Sequence, residues 1–166
     1  MPTRALIRSA LILAPLLALL AGCAGTGGPV GESARAAVEG DPQRETVIET
    51  ALGQVGRPYR YGGDDPSGFD CSGLVDYSYA QAGIKLPRNT VELLDAGSSV
   101  SLDQARPGDL LFFTFAEKAY PSLHVAIYLG DGQMVHSPSG GKQVSVSRTD
   151  QPPWPQRFIH AVRVLP

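Results

Sequence analysis

Beyond the first forty residues, apolar positions recur at helical spacing in two stretches and at strand-like spacing through most of the C-terminal half. Val47, Ile48, Ala51, Leu52 and Val55 form one helical stripe, opened by Asp41 and Pro42 and closed by Gly56. Cys71, Leu74, Val75, Ser78 and Ala82 form a second, with Asp70 as its cap and Gly83 as its stop. Asn89 with Glu92 three residues later predicts a short capped helix reaching about Ala96. Asp109 to Phe115 then predicts a buried strand, and Glu117 to Ser122 a polar loop. His124 to Leu129, Gln133 to Ser137, Val144 to Ser147 and Arg157 to Leu165 continue as strands. Helices first and a meander of strands afterwards predict an α+β domain, with N-terminal helices packed on an antiparallel β-sheet.

The chain has 166 residues, enough for one domain with a core. Charged residues make up 18% and the net charge is -2, so no global field calls for nucleic acid as a partner. The front end changes the picture more. Arg4 and Arg8 precede the apolar run Ala10 to Ala21, which is too short to span a bilayer and reads as an export signal. The run ends Leu20-Ala21-Gly22-Cys23, which resembles the lipobox of bacterial lipoproteins. That resemblance implies cleavage before Cys23, lipid on Cys23 and attachment to a membrane of the cell envelope, at the periplasmic face of the outer membrane in a Gram-negative cell. Ala24 to Gly40, rich in small residues, reads as a tether. The expected boundaries are therefore a signal peptide over 1–22, lipidated Cys23 and tether over 23–41, and a domain over 42–166.

A lipid on Cys23 leaves Cys71 as an unpaired thiol in an oxidising compartment, where catalysis would account for it. A small buried apolar residue is the plainer reading of a lone cysteine. At the first turn of its helix, Cys71 would meet free backbone N–H groups and the helix dipole, which predict an easily lost thiol proton. The histidines add geometry. A three-residue loop of Gly130-Asp131-Gly132 would pair Leu129 with Gln133 and place Ala126 opposite His136. Strand alternation then puts His124, Ala126 and His136 on one face, the histidines as diagonal neighbours within reach of one another. A thiol, an imidazole to take its proton and a polar group to orient that imidazole make up an activated nucleophile.

Taken in order, Pro58-Tyr59-Arg60-Tyr61-Gly62-Gly63, Phe69-Asp70-Cys71-Ser72-Gly73-Leu74-Val75, Leu86-Pro87-Arg88, Pro107-Gly108-Asp109-Leu110, His124 to Gly130 and Met134-Val135-His136-Ser137 resemble the NlpC-type cell-wall cysteine peptidases. The resemblance runs from about residue 44 to the C-terminus. It implies a reduced papain-like fold without a cofactor, monomeric, acting on peptidoglycan stem peptides through a thioester on Cys71. The bond implied is that from D-glutamate to the diamino acid, or the cross-link between stems. Cys71 corresponds to the nucleophile, His124 to the general base and His136 to the residue that orients it. Tyr59 corresponds to the oxyanion donor beside the Cys71 amide. Asp70 and Ser72 correspond to positions that in some members of the family hold the amino terminus of a stem peptide, and Arg88 to a residue serving either structure or substrate carboxylates. Ala126 departs from the glycine common at its place. Two other readings use the same residues: a catalytically silent wall-binding or scaffold lipoprotein, and a zinc site of Cys71, His124 and His136. The lipobox reading is tested by the mass of the mature N-terminus, expected to be that of a diacylated or triacylated Cys23; an unmodified cut elsewhere overturns it.

Overall fold

The computed structural model describes residues 40–115, 122–140 and 142–166. Its first helix, α1, spans Pro42–Leu52, and the Asp41 carboxylate caps it by accepting from the Arg44 amide. The predicted stripe overreaches here, because the helix stops at Leu52 and Val55 is 46% exposed. Tertiary pairing ends it: Gly56 N–H donates to Val144 C=O and Val144 N–H to Arg57 C=O, pulling the chain out of helical geometry. Two dipeptide strands come next, β1 (Asp64–Asp65) and β2 (Gly68–Phe69), paired with each other. The second helix, α2, runs Cys71–Gln81 and gives way to a left-handed Gly83, as its sequence predicts. Asn89 caps α3 by accepting from the Glu92 amide, but α3 covers only Thr90–Leu93, one turn rather than the two expected.

The strands β3 (Ser98–Val100), β4 (Leu110–Phe115), β5 (Ser122–Gly130), β6 (Gln133–His136), β7 (Ser145–Arg148) and β8 (Phe158–Arg163) form one sheet in the order β3-β8-β4-β5-β6-β7. Every neighbouring pair is antiparallel. Alternation along the strands divides two cores. Leu110, Phe112, Val125, Ile127 and Val135 pack against Val47, Ile48 and Ala51 of α1 and Leu74, Val75 and Tyr79 of α2. Leu111, Phe113, Ala126, Met134 and Ala161 face the other way, covered by Trp154 and Phe158. Trp154 opens a single-turn helix, α4 (Trp154–Arg157), which the proline-rich sequence around it does not announce. The dipeptide strands and β3 also escape the pattern, being too short and polar to show a period.

A buried ionic cluster ties the N-terminal helix to the sheet. Arg44, 2% exposed, donates to the backbone carbonyls of Pro107 and Pro166 and lies 3.6 Å from the Asp109 carboxylate. Asp109 is fully buried and also receives the Arg163 guanidinium at 2.8 Å. Arg44 and Asp109 have left water, so removing the carboxylate strands a buried guanidinium. Asp109→Ala is expected to lower stability by about 3 kcal/mol or more, measured by urea unfolding; a loss below about 1 kcal/mol, the range of exposed pairs, would contradict this account.

Candidate active site

Where β6 stops determines what can gather there. β5 and β6 pair Ile127 with Val135, a register that sets Ala126 opposite His136, the last residue of β6. Residues of β5 before Ala126 therefore have no β6 partner, and the strand edge is open at His124 and Val125. The expected face and register hold, but the three-residue loop does not. Gly130 pairs with Gln133, leaving a two-residue turn of Asp131 (φ 52°) and Gly132 (φ 69°), both left-handed as a type I′ turn requires. A bulge between Tyr128 and Gly130 supplies the missing residue and restores the register.

The histidines meet on that face. His124 Nε2 lies 2.9 Å from His136 Nδ1, and His136 Nε2 lies 2.9 Å from the Ser147 hydroxyl. Trp154 stacks on His124 at 5.7 Å between ring centroids and stands edge-on to His136 at 4.9 Å. The rings are 8% and 2% exposed respectively. Burial, reinforced by the adjacent His136, drives the pKa of His124 down to about 3. Burial, with the Lys142 charge adding to it, takes His136 down to about 4. Both imidazoles are neutral at physiological pH. Because Nε2 of His124 is engaged by His136, Nδ1 is its remaining nitrogen for proton transfer.

Cys71 approaches from the helical side of the sheet. Asp70 accepts from the Gly73 amide and so fixes the first turn of α2. Gly73 has to be glycine, since a Cβ there would stand 1.9 Å from the Gly63 carbonyl oxygen. The half-buried Cys71 sulfur lies 4.0 Å from the Thr90 hydroxyl, and the Val125 amide, on the open edge of β5 next to His124, is near enough to favour its thiolate. The buried Ser137 hydroxyl donates to Phe69 C=O at 2.7 Å, joining the residue after His136 to the strand that leads into Cys71. One electrostatic expectation is overturned. Burial raises the Cys71 pKa rather than lowering it, and the adjacent Asp70 charge adds to this; the Val125 and Ser72 amides and the Thr90 hydroxyl oppose the rise without reversing it. Desolvation of the thiolate outweighs the helix start, so the resting pair is a thiol and a neutral imidazole.

Tyr59 is half-buried, hydrogen-bonded through its backbone N–H to Lys142 C=O. Burial, then the neighbouring Cys71 and Asp70, raises its pKa, so its hydroxyl keeps a proton to donate. Tyr61, two residues on, is 90% exposed. Arg88 is the hub of the helix start. It donates to Asp70 at 2.9 Å, to the Ser72 hydroxyl at 2.8 Å and to Gly63 C=O at 2.9 Å. Asp70 thus has one carboxylate oxygen on Ser72, Gly73 and Arg88 and the other on the Gly62 amide. The structure gathers Cys71, Tyr59, Asp70, Ser72 and Arg88 in one region and pairs His124 with His136. Cys23 lies outside the described residues. Among those residues no group of three or more His, Cys, Asp or Glu side chains is arranged to hold a metal. Sequence reasoning missed Trp154, Ser147 and Thr90. A tryptophan among prolines and single hydroxyls carry no period to mark them.

The sequence model of the NlpC/P60 family matches residues 56–163. The bifunctional muramidase/DL-endopeptidase CwlT of Bacillus subtilis is 46% identical over 102 residues, covering 61% of this chain and 31% of that protein. The gamma-D-glutamyl-L-lysine dipeptidyl-peptidase of the same organism is 39% identical over 102 residues, covering 61% and 34%. The chain thus spans about a third of the length of these curated relatives. Among solved structures, the NlpC/p60 domain of the peptidoglycan hydrolase SagA superposes with a TM-score of 0.61 at 39% identity, covering 72% of this chain and 97% of that one. RipD of Mycobacterium tuberculosis, a non-catalytic domain adapted to peptidoglycan binding, superposes with a TM-score of 0.60 at 35% identity, covering 74% and 98%.

The buried imidazoles make the domain sensitive to acid. Both titrate at lower pH in the folded protein than the 6.5 of a free histidine, so the unfolded chain binds protons first. Their contribution is complete above about pH 6.5 and is lost as pH falls toward 4. The calorimetric unfolding midpoint is expected to drop between pH 7 and pH 5, and to drop less in a His124→Gln/His136→Gln double variant; equal slopes in both proteins contradict the assignment.

Proposed function

The chain belongs to the NlpC/P60 family, and on that premise we propose that it is a cysteine endopeptidase of peptidoglycan stem peptides. The observation that carries the reading is the 2.9 Å contact between His124 and His136 at the open edge of β5, beside which the Val125 amide favours the Cys71 thiolate. RipD lends weight to a silent binding role for the fold; the Cys71 thiol and two linked imidazoles, the kinds of group an activated nucleophile uses, favour hydrolysis.

In this reading Cys71 gives its proton to Nδ1 of His124 as the sulfur attacks the carbonyl carbon of the stem amide. The Tyr59 hydroxyl and the Cys71 backbone N–H receive the negative charge that develops on the carbonyl oxygen. The C–N bond then breaks, the amine leaves with the proton held by His124, and an acyl thioester remains on Cys71. Water gives a proton to His124, adds to the thioester and releases the acid, and the thiol recovers its proton. The names of CwlT and of the dipeptidyl-peptidase favour the bond that follows D-glutamate within one stem. Asp70 and Ser72 would face the stem's amino terminus. Arg88, with its donors already directed to Asp70, Ser72 and Gly63, would act by holding them. A lipid on Cys23 would keep the domain at an envelope membrane.

Digestion of purified sacculi, with mass analysis of the released muropeptides, tests this. Fragments ending in D-glutamate are expected, and none from the Cys71→Ser variant. His124→Ala is expected to lose at least about 100-fold, and His136→Ala less than that. Hydrolysis by Cys71→Ser would overturn the nucleophile, the reverse order of losses would overturn the histidine roles, and cuts only at cross-links would overturn the choice of bond. Wild-type protein that binds sacculi and releases nothing would favour the silent reading.

A further inference from the structure

We infer that Ser147 is a positioning residue that sets the proton arrangement of the histidine relay from its far end, an inference resting on the hydrolase reading above. Two neutral imidazoles joined by one hydrogen bond can share their protons in two ways. In the first, His124 Nε2–H donates to His136 Nδ1, which leaves His124 Nδ1 bare and able to take the thiol proton. In the second, His136 Nδ1–H donates to His124 Nε2, and Nδ1 of His124 is already protonated. Only the first is a base. It requires His136 to carry its own proton on Nε2, and the group 2.9 Å from that nitrogen is the Ser147 hydroxyl.

The same need persists once the thiol proton has moved. The imidazolium of His124 still donates to His136 Nδ1, so His136 still holds its proton on Nε2 and still needs an acceptor there. With His136 only 2% exposed, an N–H without that acceptor would be buried and unpaired. The surroundings of Ser147 favour the acceptor role. It is half-buried and lines an open cleft of about 360 Å³ with Gln133, Gln151 and Trp154. Solvent in the open cleft can accept from the Ser147 hydroxyl. The hydroxyl proton is then directed to the cleft and a lone pair to His136. Trp154 lies against both rings and also lines the cleft.

Three variants test this: Ser147→Ala, Ser147→Thr, and Ser147→Val, which has the shape of threonine without the hydroxyl. Long-range ¹⁵N spectra of histidine-labelled protein read the tautomer of each ring, and kinetics on a soluble stem peptide read kcat and KM. The wild type is expected to hold His136 as the Nε2–H tautomer. Ser147→Val and Ser147→Ala should move it toward Nδ1–H and lower kcat roughly 10- to 100-fold, the range seen when an outer partner of a ligating histidine is removed. KM should stay unchanged, and Ser147→Thr should restore both readouts. An unaltered tautomer in Ser147→Val, or an altered tautomer with kcat intact, overturns the inference. The spectra need no substrate, so an inactive wild type would sink the hydrolase reading while the tautomers still decide the role of Ser147.

Discussion

Pairing between β5 and β6, and the residue at which it ends, governs the chemistry available to this protein. A hydrogen-bonded ladder continuing past Ala126 would occupy the Val125 amide and close the edge to the sulfur. Because β6 ends at His136, the edge is open where the histidine face and the cysteine helix can both reach it. Cys71 comes to it from the core packed by α1 and α2, and His124 from the core covered by Trp154. Two separate hydrophobic layers thus supply the thiol and the paired imidazoles, on either side of that sheet edge.

Holding that junction takes polar contacts whose partners are distant in sequence. Arg88 clamps the helix start, Ser137 ties the end of β6 to Phe69, and the buried Arg44–Asp109–Arg163 cluster fixes α1 to the sheet. Buried polar groups of this kind are costly when left unpaired. Each contact therefore makes displacement of its element expensive, whatever it adds to net stability.

Electrostatically the centre rests in a neutral state. Burial raises the thiol and lowers both imidazoles, so charge separation between them is disfavoured. Tyr59 is likewise kept protonated by its own burial and by its neighbours. A helix start alone argued for a thiolate. The protein interior reversed the balance, because removing water from a thiolate costs more than a few amide dipoles return.

Local patterns in the chain sufficed for the two main helices, the α+β order, the caps at Asp41, Asp70 and Asn89, and the shared face of His124 and His136, since periodicity and capping act between near neighbours. They also carried the family motifs around Cys71, His124 and His136. Tertiary structure decided the rest. It ended α1 before Val55, replaced a three-residue loop by a tight turn and a bulge with the same register, and set the ionisation of the thiol. It also brought Trp154, Ser147 and Thr90 to the reactive groups. These outcomes depend on burial and on contacts between residues far apart in the chain, and no spacing along a sequence encodes how much water is excluded when those residues meet.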